Sequence, residues 1–381
     1  MSTTTTDVLI VGAGPTGLTL ATALAVRGIW ATVVDRQAAG DNTSRAAVVH
    51  ARTLEVLEGI GVADLLVRLG VRAPRFTIRD RDSILVPVSF ANLPTRYPYT
   101  LMISQAVTEA VLLDRFVELG GLVLRPLAVT DLAQDDHGVT ARLDDGDELR
   151  ARYLVGADGM HSTVRKRAGI GFHGDVYGAS FTLADARLTG AAPGDEVILY
   201  FSPAGLVVVA PLPGGIHRIV ATVDSAPERP DVDFVQALLD DRGPERERAI
   251  VKEVVWGSRF RVHHRLADAY RAGRILLAGD AAHAHSPAGG QGMNTGMQDA
   301  IALAEALATA LNGGNEELLN SYGAVRRPIA RQVVALADRL TRLATVSRQL
   351  RPQRNTLLRL LACIPSFRHR LAWRLSGLAN R

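Results

Sequence analysis

The sequence predicts an α/β protein in which one discontinuous domain of alternating strands and helices is interrupted by a sheet-rich block and followed by C-terminal helices. Three observations predict it. A strand, a glycine-rich turn and a helix open the chain, strand-like sequence fills its middle, and a second apolar strand ends in an acid about 260 residues after the first glycines. The 381 residues and 47% hydrophobic content suit a globular chain with more than one domain.

The first unit is a βαβ unit. Asp7 to Val11 is a short apolar strand, Pro15 to Arg27 has helical character, and Trp30 to Val34 is a second strand that ends at Asp35. The turn between the first strand and the helix reads Gly12-Ala13-Gly14-Pro15-Thr16-Gly17. This strand–turn–helix context predicts a Rossmann-like dinucleotide-binding unit.

Each glycine of this turn has a separate expected role. Gly12 permits the tight turn, Gly14 lets a pyrophosphate approach the backbone, and Gly17 lets helix and strand pack closely. Asp35 lies 18 residues beyond Gly17 (35 − 17), where a carboxylate accepts hydrogen bonds from ribose hydroxyls. A second match, from Gly169 to Gly174, follows a helical stretch and predicts only a domain-crossing loop.

The next elements carry the chain out of the first domain and back. Arg45 to Gly61 is predicted as a helix, and Ala73 to Phe90 as strands around a polar turn that leaves the first domain. Ser104 to Leu119 returns to a helix, and Leu122 to Leu149 contains strands with a hairpin signal.

The remaining elements complete the predicted domains. Residues near 173 to 262 are mostly strands with one helix from Val232 to Asp240, followed by a buried strand from Arg274 to Gly279 and a helix from Asn294 to Leu311. The predicted boundaries are 1–72, 98–172 and 268–325 for the nucleotide-binding domain, 73–97 and 173–267 for the inserted sheet-rich domain, and 326–381 for arginine-rich helices.

Two further strands end in an acid beside glycine. The strand from Tyr153 leads into Asp158-Gly159, where Asp158 either caps a turn or meets a nucleotide. Gly279-Asp280 repeats the arrangement, so Asp280 is predicted to reach a ribityl or ribose hydroxyl. The loop Pro287 to Asn294 then opens a helix whose first amides can face an electron-rich ring and stabilise negative charge on it; the alternative is simple capping by Asn294.

The C-terminal segment is basic. From Arg326 to Arg381 it has 13 arginines and one acid, Asp338, for a charge of +12, so the rest of the chain carries 4 − 12 = −8. Apolar residues recur at helical spacing, which favours amphipathic helices packed on the body over docking to a membrane or partner.

The chain has one cysteine, Cys363, expected to be a small buried hydrophobe, and no metal site is predicted. Its start contains no signal-like segment, which predicts a cytoplasmic protein.

In this order and separation, the three motifs resemble those of the class A flavoprotein aromatic monooxygenases, the p-hydroxybenzoate hydroxylase family, and especially its phenol and aromatic polyketide hydroxylases. The resemblance implies a discontinuous Rossmann-like FAD-binding domain (the GR2 or p-hydroxybenzoate hydroxylase fold) with an inserted sheet-rich substrate domain. Many such hydroxylases carry a further thioredoxin-like domain; the present sequence stops after its arginine-rich helices, so assembly through that domain is not expected. Leu93 to Pro98 resembles the family's crossing strand.

The resemblance also implies the cofactor contacts. For FAD the matching positions are Gly12, Gly14, Pro15, Thr16, Gly17, Asp35, Arg36, Arg45, Gln105, Asp158, Gly159, Gly279, Asp280, Pro287, Gly290, Gly292, Met293 and Asn294. Asp158 and Gly159 match a motif linked to both FAD and NAD(P)H.

The implied reaction uses NADPH or NADH and O₂ to hydroxylate an aromatic substrate through a flavin C4a-hydroperoxide. Baeyer–Villiger oxygenation, a flavin-dependent reductase or dehydrogenase of a lipophilic substrate, and a non-catalytic flavin-binding paralogue remain alternatives. The catalytic residues stay unassigned. A group that favours the phenolate of a substrate could come from four strand residues: Tyr177, Tyr200, His173 and His217. The sequence does not fix which face of the sheet each occupies, so the interpretation as ordinary strand residues is favoured and none is assigned to the site. No nucleic-acid partner is expected.

Overall fold

The computed structural model describes residues 4–40, 46–284, 289–344, 346–347 and 349–381, and their side chains except at residues 4, 176–179, 260–263 and 341. None of the helices among these residues is both long and apolar enough to cross a membrane.

The strands in chain order are β1 Thr4–Val11, β2 Ala31–Val34, β3 Val48–Val49, β4 Val71–Ala73, β5 Arg75–Asp80, β6 Ser83–Ser89, β7 Thr100–Met102, β8 Val123–Leu124, β9 Val129–Asp135, β10 Gly138–Leu143, β11 Glu148–Gly156, β12 Phe172–Gly190, β13 Glu196–Ser202, β14 Gly205–Leu212, β15 Ile216–Val223, β16 Ala249–Ala267, β17 Arg271–Ala272, β18 Ile275–Leu277 and β19 His283–Ala284. The helices are α1 Pro15–Val26, α2 Ala51–Glu58, α3 Ala63–Leu69, α4 Gln105–Glu118, α5 Thr163–Arg167, α6 Val232–Arg242, α7 Gly292–Leu311, α8 Glu317–Ala344, α9 Arg351–Ala362 and α10 Pro365–Leu375.

The first sheet has the strand order β17-β18-β11-β1-β2-β8, with β9 and β10 attached at β11. Strands β18, β11, β1, β2 and β8 are parallel, so their carboxyl ends meet at one edge of the sheet. Helices α1 and α7 pack on this sheet in one continuous apolar core. The alternation of strand and helix at the start of the chain therefore produces the predicted Rossmann-like layer, and the α/β fold class is confirmed.

The second sheet has the order β19-β16-β12-β15-β14-β13-β5-β6. Because side chains alternate along a strand, this sheet has two apolar faces with different partners. One face packs against α6 through Val235, Leu238 and Leu239. The other face packs against the C-terminal helices. Strands β3, β7 and β4 form a small third sheet, in that order.

The C-terminal helices pack on the body as the sequence favours. Leu340, Leu358 and Leu375 are buried in one cluster with residues of the second sheet. Helix α8 runs without a break across the predicted boundary at residues 325–326, so the arginine-rich segment continues a helix that starts earlier. Cys363 follows the last turn of α9 and is exposed, which corrects the expectation of a buried cysteine.

Two predicted elements are wrong in detail. The predicted helix from Arg45 to Gly61 is a helix only from Ala51, because Val48 and Val49 pair with β7 as a short strand. The stretch Leu93 to Pro98 crosses between β6 and β7 as turns and not as a strand. Its prolines have no N–H to donate to a ladder, and Thr95 instead donates its backbone N–H to the carbonyl of Leu93.

Candidate functional site

The carboxyl ends of the five parallel strands border one cavity of about 620 Å³. Each strand ends beside a residue that lines it: Gly12 follows β1, Asp35 follows β2, Arg125 follows β8, Asp158 closely follows β11, and Asp280 closely follows β18. The edge of the sheet therefore brings together motifs that are up to 268 residues apart in sequence (280 − 12).

In the glycine turn, Gly12 and Gly17 are tightly packed against other protein atoms, whereas Gly14 has open space in front of it. A Cβ atom on Gly12, whose φ is +107°, would overlap the carbonyl of Ala157, and one on Gly17 would overlap the carbonyl of Gly12. A Cβ on Gly14 would meet no atom within 4 Å. Gly12 and Gly14 line the cavity whereas Gly17 does not, so the turn packs tightly against the sheet and leaves room in front of Gly14.

The same turn opens helix α1 without a side-chain cap. Gly14 is the N-cap residue, its helix starts with Pro15, and no side chain bonds the first free amides. Pro15 and Thr16 also line the cavity. Uncapped amides and the positive end of the helix dipole together form a site for an anion such as a phosphate.

Asp35 holds the turn in place. The backbone N–H of Ala13 donates to Oδ2 of Asp35 over 2.6 Å, and that of Gln37 donates to Oδ1 over 2.8 Å. Asp35 is half-buried and lines the cavity, as does the exposed Arg36. A carboxylate oxygen accepts more than one hydrogen bond, so the predicted ribose contact is compatible with this arrangement.

Arg125 is a cavity residue that the sequence did not single out. Its Nη2 donates to the carbonyl of Ala13 in the glycine turn over 3.3 Å, and its buried Nε has no partner among the described residues. It follows β8, a strand of two residues, which is too short for a hydrophobic pattern to reveal. The rule that ligands meet strand ends is the one signal that indicates it.

Asp158 caps the start of α5 and also lines the cavity, where contact with a nucleotide stays a prediction. Its Oδ2 accepts the backbone N–H groups of Thr163, over 2.7 Å, and Val164, over 3.1 Å, at the start of α5. Its buried Oδ1 has no partner among the described residues, and both Asp158 and Gly159 line the cavity. Burial raises the pKa of this carboxyl, although hydrogen bonds from Ser162 and the backbone oppose the shift.

Asp280 lies in a short 3₁₀ turn, Gly279–Ala281, directly after β18. It is exposed and lines the cavity, whereas Gly279 packs against Thr16 and does not. Asp280, after β18, and Thr16, in the first turn of α1, therefore both line the cavity.

The loop before α7 is joined to the start of α2 by a compact hydrogen-bond network. Asn294 accepts the backbone N–H of His50 at Oδ1 over 2.8 Å, and its Nδ2 donates to the carbonyls of Val48 and Gly290. The imidazole Nε2 of His50 lies 3.0 Å from the carbonyl of Gly289. Burial lowers the pKa of His50 from 6.5 to about 4, against the effect of its backbone hydrogen bonds, so the ring is neutral and donates through Nε2.

The alternative in which Asn294 simply caps the helix is wrong. Helix α7 begins at Gly292 with Gln291 as its N-cap, and no side chain caps it. Asn294 is fully buried, sits inside the first turn and does not line the cavity, whereas Gly290, Gly292 and Met293 do. The first amides of α7 are thus held at the cavity wall by a buried amide.

Gln105 also lines the cavity. Its Oε1 accepts the backbone N–H of Ala46 over 3.2 Å, and its Nε2 donates to Glu109 over 2.8 Å. The two other predicted contacts, Arg45 and Pro287, lie outside the described residues.

The second sheet closes the far end of the cavity with one of its faces. Most of the residues there are apolar: Phe76, Phe181, Val197, Leu199, Leu206, Val208, Ala210 and Val220. The one charged side chain that this sheet contributes to the described lining is Arg218. Its Nε and Nη2 donate to Asp185, directly opposite on β12, over 2.5 and 2.7 Å, and the guanidinium lies 5.4 Å from the ring centroid of Trp256.

Three of the four candidate substrate-activating residues do not line this chamber. Tyr200 packs in the cluster on the α6 side of the sheet, where burial raises its pKa to about 12. His217 neighbours Arg218 on the opposite face and pairs its Nε2 with the carbonyl of Pro193 over 2.9 Å. His173 is exposed and pairs with Asp268. The side chain of Tyr177 lies outside the described residues.

Residues 5–337 match the protein family described as "FAD binding domain". The chain belongs to this FAD-binding family. It is 40% identical over 356 residues to a 6-methylpretetramide 4-monooxygenase of Streptomyces rimosus, which covers 91% of this chain and 63% of the relative. It is 36% identical to a pentachlorophenol 4-monooxygenase of Sphingobium chlorophenolicum, over 86% of this chain and 63% of that one.

Solved structures show the same fold. The anhydrotetracycline hydroxylase OxyS of Streptomyces rimosus aligns with a TM-score of 0.80 and 36% identity over 98% of this chain and 76% of its own. The p-nitrophenol 4-monooxygenase PnpA of Pseudomonas putida DLL-E4 aligns with a TM-score of 0.87 over 98% of both chains, at 24% identity. The resemblance to the class A flavoprotein aromatic monooxygenases is confirmed. The chain spans 63% of the length of the two curated relatives above.

The residues at the sheet edge fit FAD. The uncapped start of α1 and the open space before Gly14 suit a pyrophosphate, and the orphaned Oδ1 of Asp158 can accept a hydroxyl or amide donor of a bound ligand. Arg125 adds a positive charge beside the phosphate position. A second helix start, that of α7, faces the same cavity between the nucleotide end and the apolar sheet.

Proposed function

We propose that this protein is an FAD-dependent monooxygenase that uses NAD(P)H and O₂ to hydroxylate an aromatic substrate of phenolic or polyketide type. One observation carries the proposal: a single cavity runs from the glycine turn, past the start of α7, to an apolar chamber with one buried arginine. A planar apolar substrate in that chamber would lie next to the ring of a bound flavin. The named relatives, monooxygenases of aromatic compounds, support the same reaction class.

The chain's own residues would supply placement and electrostatics. Bound FAD, once reduced, supplies the activation of O₂. The first amides of α7, held by Asn294 and Gln291, would stabilise negative charge at the adjacent ring edge. The apolar sheet face and the tail helices would exclude water, which limits loss of the activated oxygen as hydrogen peroxide.

Arg218 is the residue best placed to receive the acidic oxygen of a phenol or enol. It is the charged side chain of the apolar chamber, and Asp185 and Trp256 fix the plane of its guanidinium. A guanidinium favours the ionised form of a phenol, and the phenolate is the more electron-rich ring. In this reaction no side chain needs to act as a nucleophile.

NAD(P)H is proposed as the reductant on sequence and chemical grounds. The sequence has one glycine fingerprint in a strand–turn–helix context, so no second dinucleotide fold is predicted for a nicotinamide cofactor. NAD(P)H would bind without such a fold of its own. Asp158 and Gly159, which line the cavity, are the residues we expect beside it.

The proposal is tested with the flavin-loaded protein and a panel of phenols, naphthoquinones and polyketide aromatics. We expect at least one aromatic compound to accelerate NAD(P)H oxidation and to gain one oxygen atom, with little hydrogen peroxide. Reduction of a substrate without O₂ would favour a reductase instead, and ring expansion of a ketone would favour Baeyer–Villiger oxygenation. If NAD(P)H never bleaches the flavin with any compound, the protein is a flavin-binding paralogue without turnover.

A further inference from the structure

The C-terminal helices form part of the wall of the apolar chamber. Leu340 of α8 and Leu375 of α10 line the cavity opposite the second sheet, and both are more than nine-tenths buried. They belong to the same apolar cluster as Phe181, Leu199 and Leu206 of the sheet. An aromatic molecule in the chamber would therefore lie between the sheet and these two leucines.

The wall is attached to the body at several points. In α8, Arg326 donates from Nε to the fully buried Asp299 of α7 over 2.6 Å. In α9, Arg351 and Asn355 both bond Asp80 at the end of β5. The backbone N–H of Arg52, in α2, donates to the carbonyl of Ser376 just after α10, over 3.1 Å. Because α7, β5 and α2 all hold it, the wall has a defined position on the body.

The same wall touches the loop that starts α7. A Cβ atom on Gly289 would lie 3.7 Å from Cδ1 of Leu340 and 4.0 Å from Cδ2 of Leu375. Gln291, which is buried, donates from Nε2 to the carbonyl of Leu375 over 3.1 Å. The helix tail that bounds the substrate end is thus bonded to the loop that bounds the cofactor end.

We propose that Leu340 and Leu375 determine the size of the aromatic substrate, and that Gln291 is a positioning residue that keeps this wall aligned with the start of α7. This inference rests on the proposed function, because it concerns the aromatic ligand of that site. Packed apolar walls discriminate through single methylene groups, and each such contact changes relative affinity roughly 10- to 200-fold. Truncating either leucine therefore enlarges the chamber for larger ring systems and removes a contact from small ones.

The test compares ligand affinities in the flavin-loaded protein. Phenol, 2-naphthol and 2-hydroxyanthracene are titrated while the flavin absorbance is followed, in wild type, Leu340→Ala and Leu375→Ala. We expect the ratio of the one-ring to the three-ring dissociation constant to rise by about tenfold or more in each variant. Leu357→Ala, on the exposed side of α9, is the matched control and leaves that ratio unchanged. An unchanged ratio in both wall variants overturns the proposal.

Two further variants keep the test decisive. If an alanine variant does not fold, Leu340→Phe fills the chamber and is expected to shift the ratio in the opposite direction. Gln291→Leu keeps the size of the side chain but removes its N–H donor; we expect a shifted visible spectrum of the bound flavin without ligand and a weaker size preference. If the spectrum and the size preference of Gln291→Leu are both those of wild type, the positioning role is wrong.

Failure of the proposed function is distinguishable from failure of this inference. If wild type perturbs its flavin spectrum with none of the three compounds, the aromatic site itself is wrong. If wild type binds them but the wall variants keep its size preference, the aromatic site stands and the tail plays no part in specificity.

Discussion

The cofactor end of the cavity presents backbone groups together with a few charged side chains at the strand ends, whereas the substrate end is built from apolar side chains. At the cofactor end, the glycine turn, the strand ends and the starts of α1 and α7 present amides and carbonyls at fixed positions. At the substrate end, alternate residues of five strands and two leucines of the tail form an apolar chamber around Arg218. At the cofactor end, replacing a single glycine should disturb flavin binding. At the substrate end, exchanging side chains can change which ligand binds without altering the backbone.

This difference predicts where single substitutions act. A change at the cofactor end should remove the flavin, and a change at the substrate end should alter ligand preference with the flavin retained. The Gly14, Asp280 and Arg218 variants test that division, and a His50 variant tests the buried network at the cofactor end.

Gly14→Val should abolish useful flavin affinity while the chain still folds. The Cβ of residue 14 meets no protein atom within 4 Å, and its backbone conformation suits any residue, so only a bound pyrophosphate would collide with the new side chain. We expect a loss of more than about 100-fold in FAD affinity, because the ligand must approach this backbone closely. Isothermal titration of the apoprotein measures the affinity, and circular dichroism measures the fold. Unchanged affinity would show that no pyrophosphate lies there.

His50→Phe should remove one part of the acid sensitivity of the fold. With a pKa of about 4 folded and 6.5 unfolded, this histidine binds its proton mainly in the unfolded state, so stability is unaffected above pH 6.5 and falls as pH drops towards 4. The loss for this group approaches about 3 kcal/mol. Urea unfolding between pH 4 and 7 measures it, with exposed His137→Phe as the control. Equal pH slopes in wild type and His50→Phe would contradict the buried neutral ring.

Asp280→Ala should yield colourless or weakly yellow protein. One hydrogen bond to a charged group contributes about 1.5–3 kcal/mol, which corresponds to a loss of roughly 10- to 150-fold in FAD affinity. The flavin absorbance per polypeptide after gel filtration measures retention. Asp268→Ala, at an exposed pair with His173, should stay fully yellow. Full retention in Asp280→Ala would show that this acid has no role in binding.

Arg218→Gln should change the substrate end alone. We expect about tenfold weaker binding of a ligand with an ionised phenol, similar binding of its methyl ether, and a normal flavin content. Asp185→Asn in the same chain avoids leaving a buried carboxylate without its partner. Tyr200→Phe, on the opposite face of the same sheet, is the control and should change either affinity less than twofold. Equal losses for the phenol and its ether would contradict a specific role for the charge.

The cofactor end could be predicted from sequence because its signals are local. Gly12 to Gly17 and Asp280 each follow an apolar strand, so a few adjacent residues reveal both the element and its end. Arg125 could not be predicted because β8 has two residues, too few to show a strand pattern. The bond that Asn294 makes to His50 could not be predicted because the two residues are 244 positions apart in sequence.

The substrate end could not be predicted to the same depth. Period-two alternation shows that β13 and β15 have two faces, but not that Leu199 and Arg218 share the chamber while Tyr200 and His217 face away. Helical spacing in the tail predicts a buried stripe that includes Leu340 and Leu375 but not the sheet it covers. Both facts depend on tertiary packing between distant segments.

The most direct test of the account is a single turnover under ¹⁸O₂. The flavin-loaded protein is reduced by NAD(P)H without oxygen, mixed with the aromatic compound that most accelerates NAD(P)H oxidation, and exposed to ¹⁸O₂ before mass spectrometry of the product. We predict one ¹⁸O atom in the aromatic product for each flavin reoxidised. Reoxidation that yields only labelled hydrogen peroxide, with unlabelled aromatic compound, would contradict a cavity that joins the flavin to its aromatic substrate.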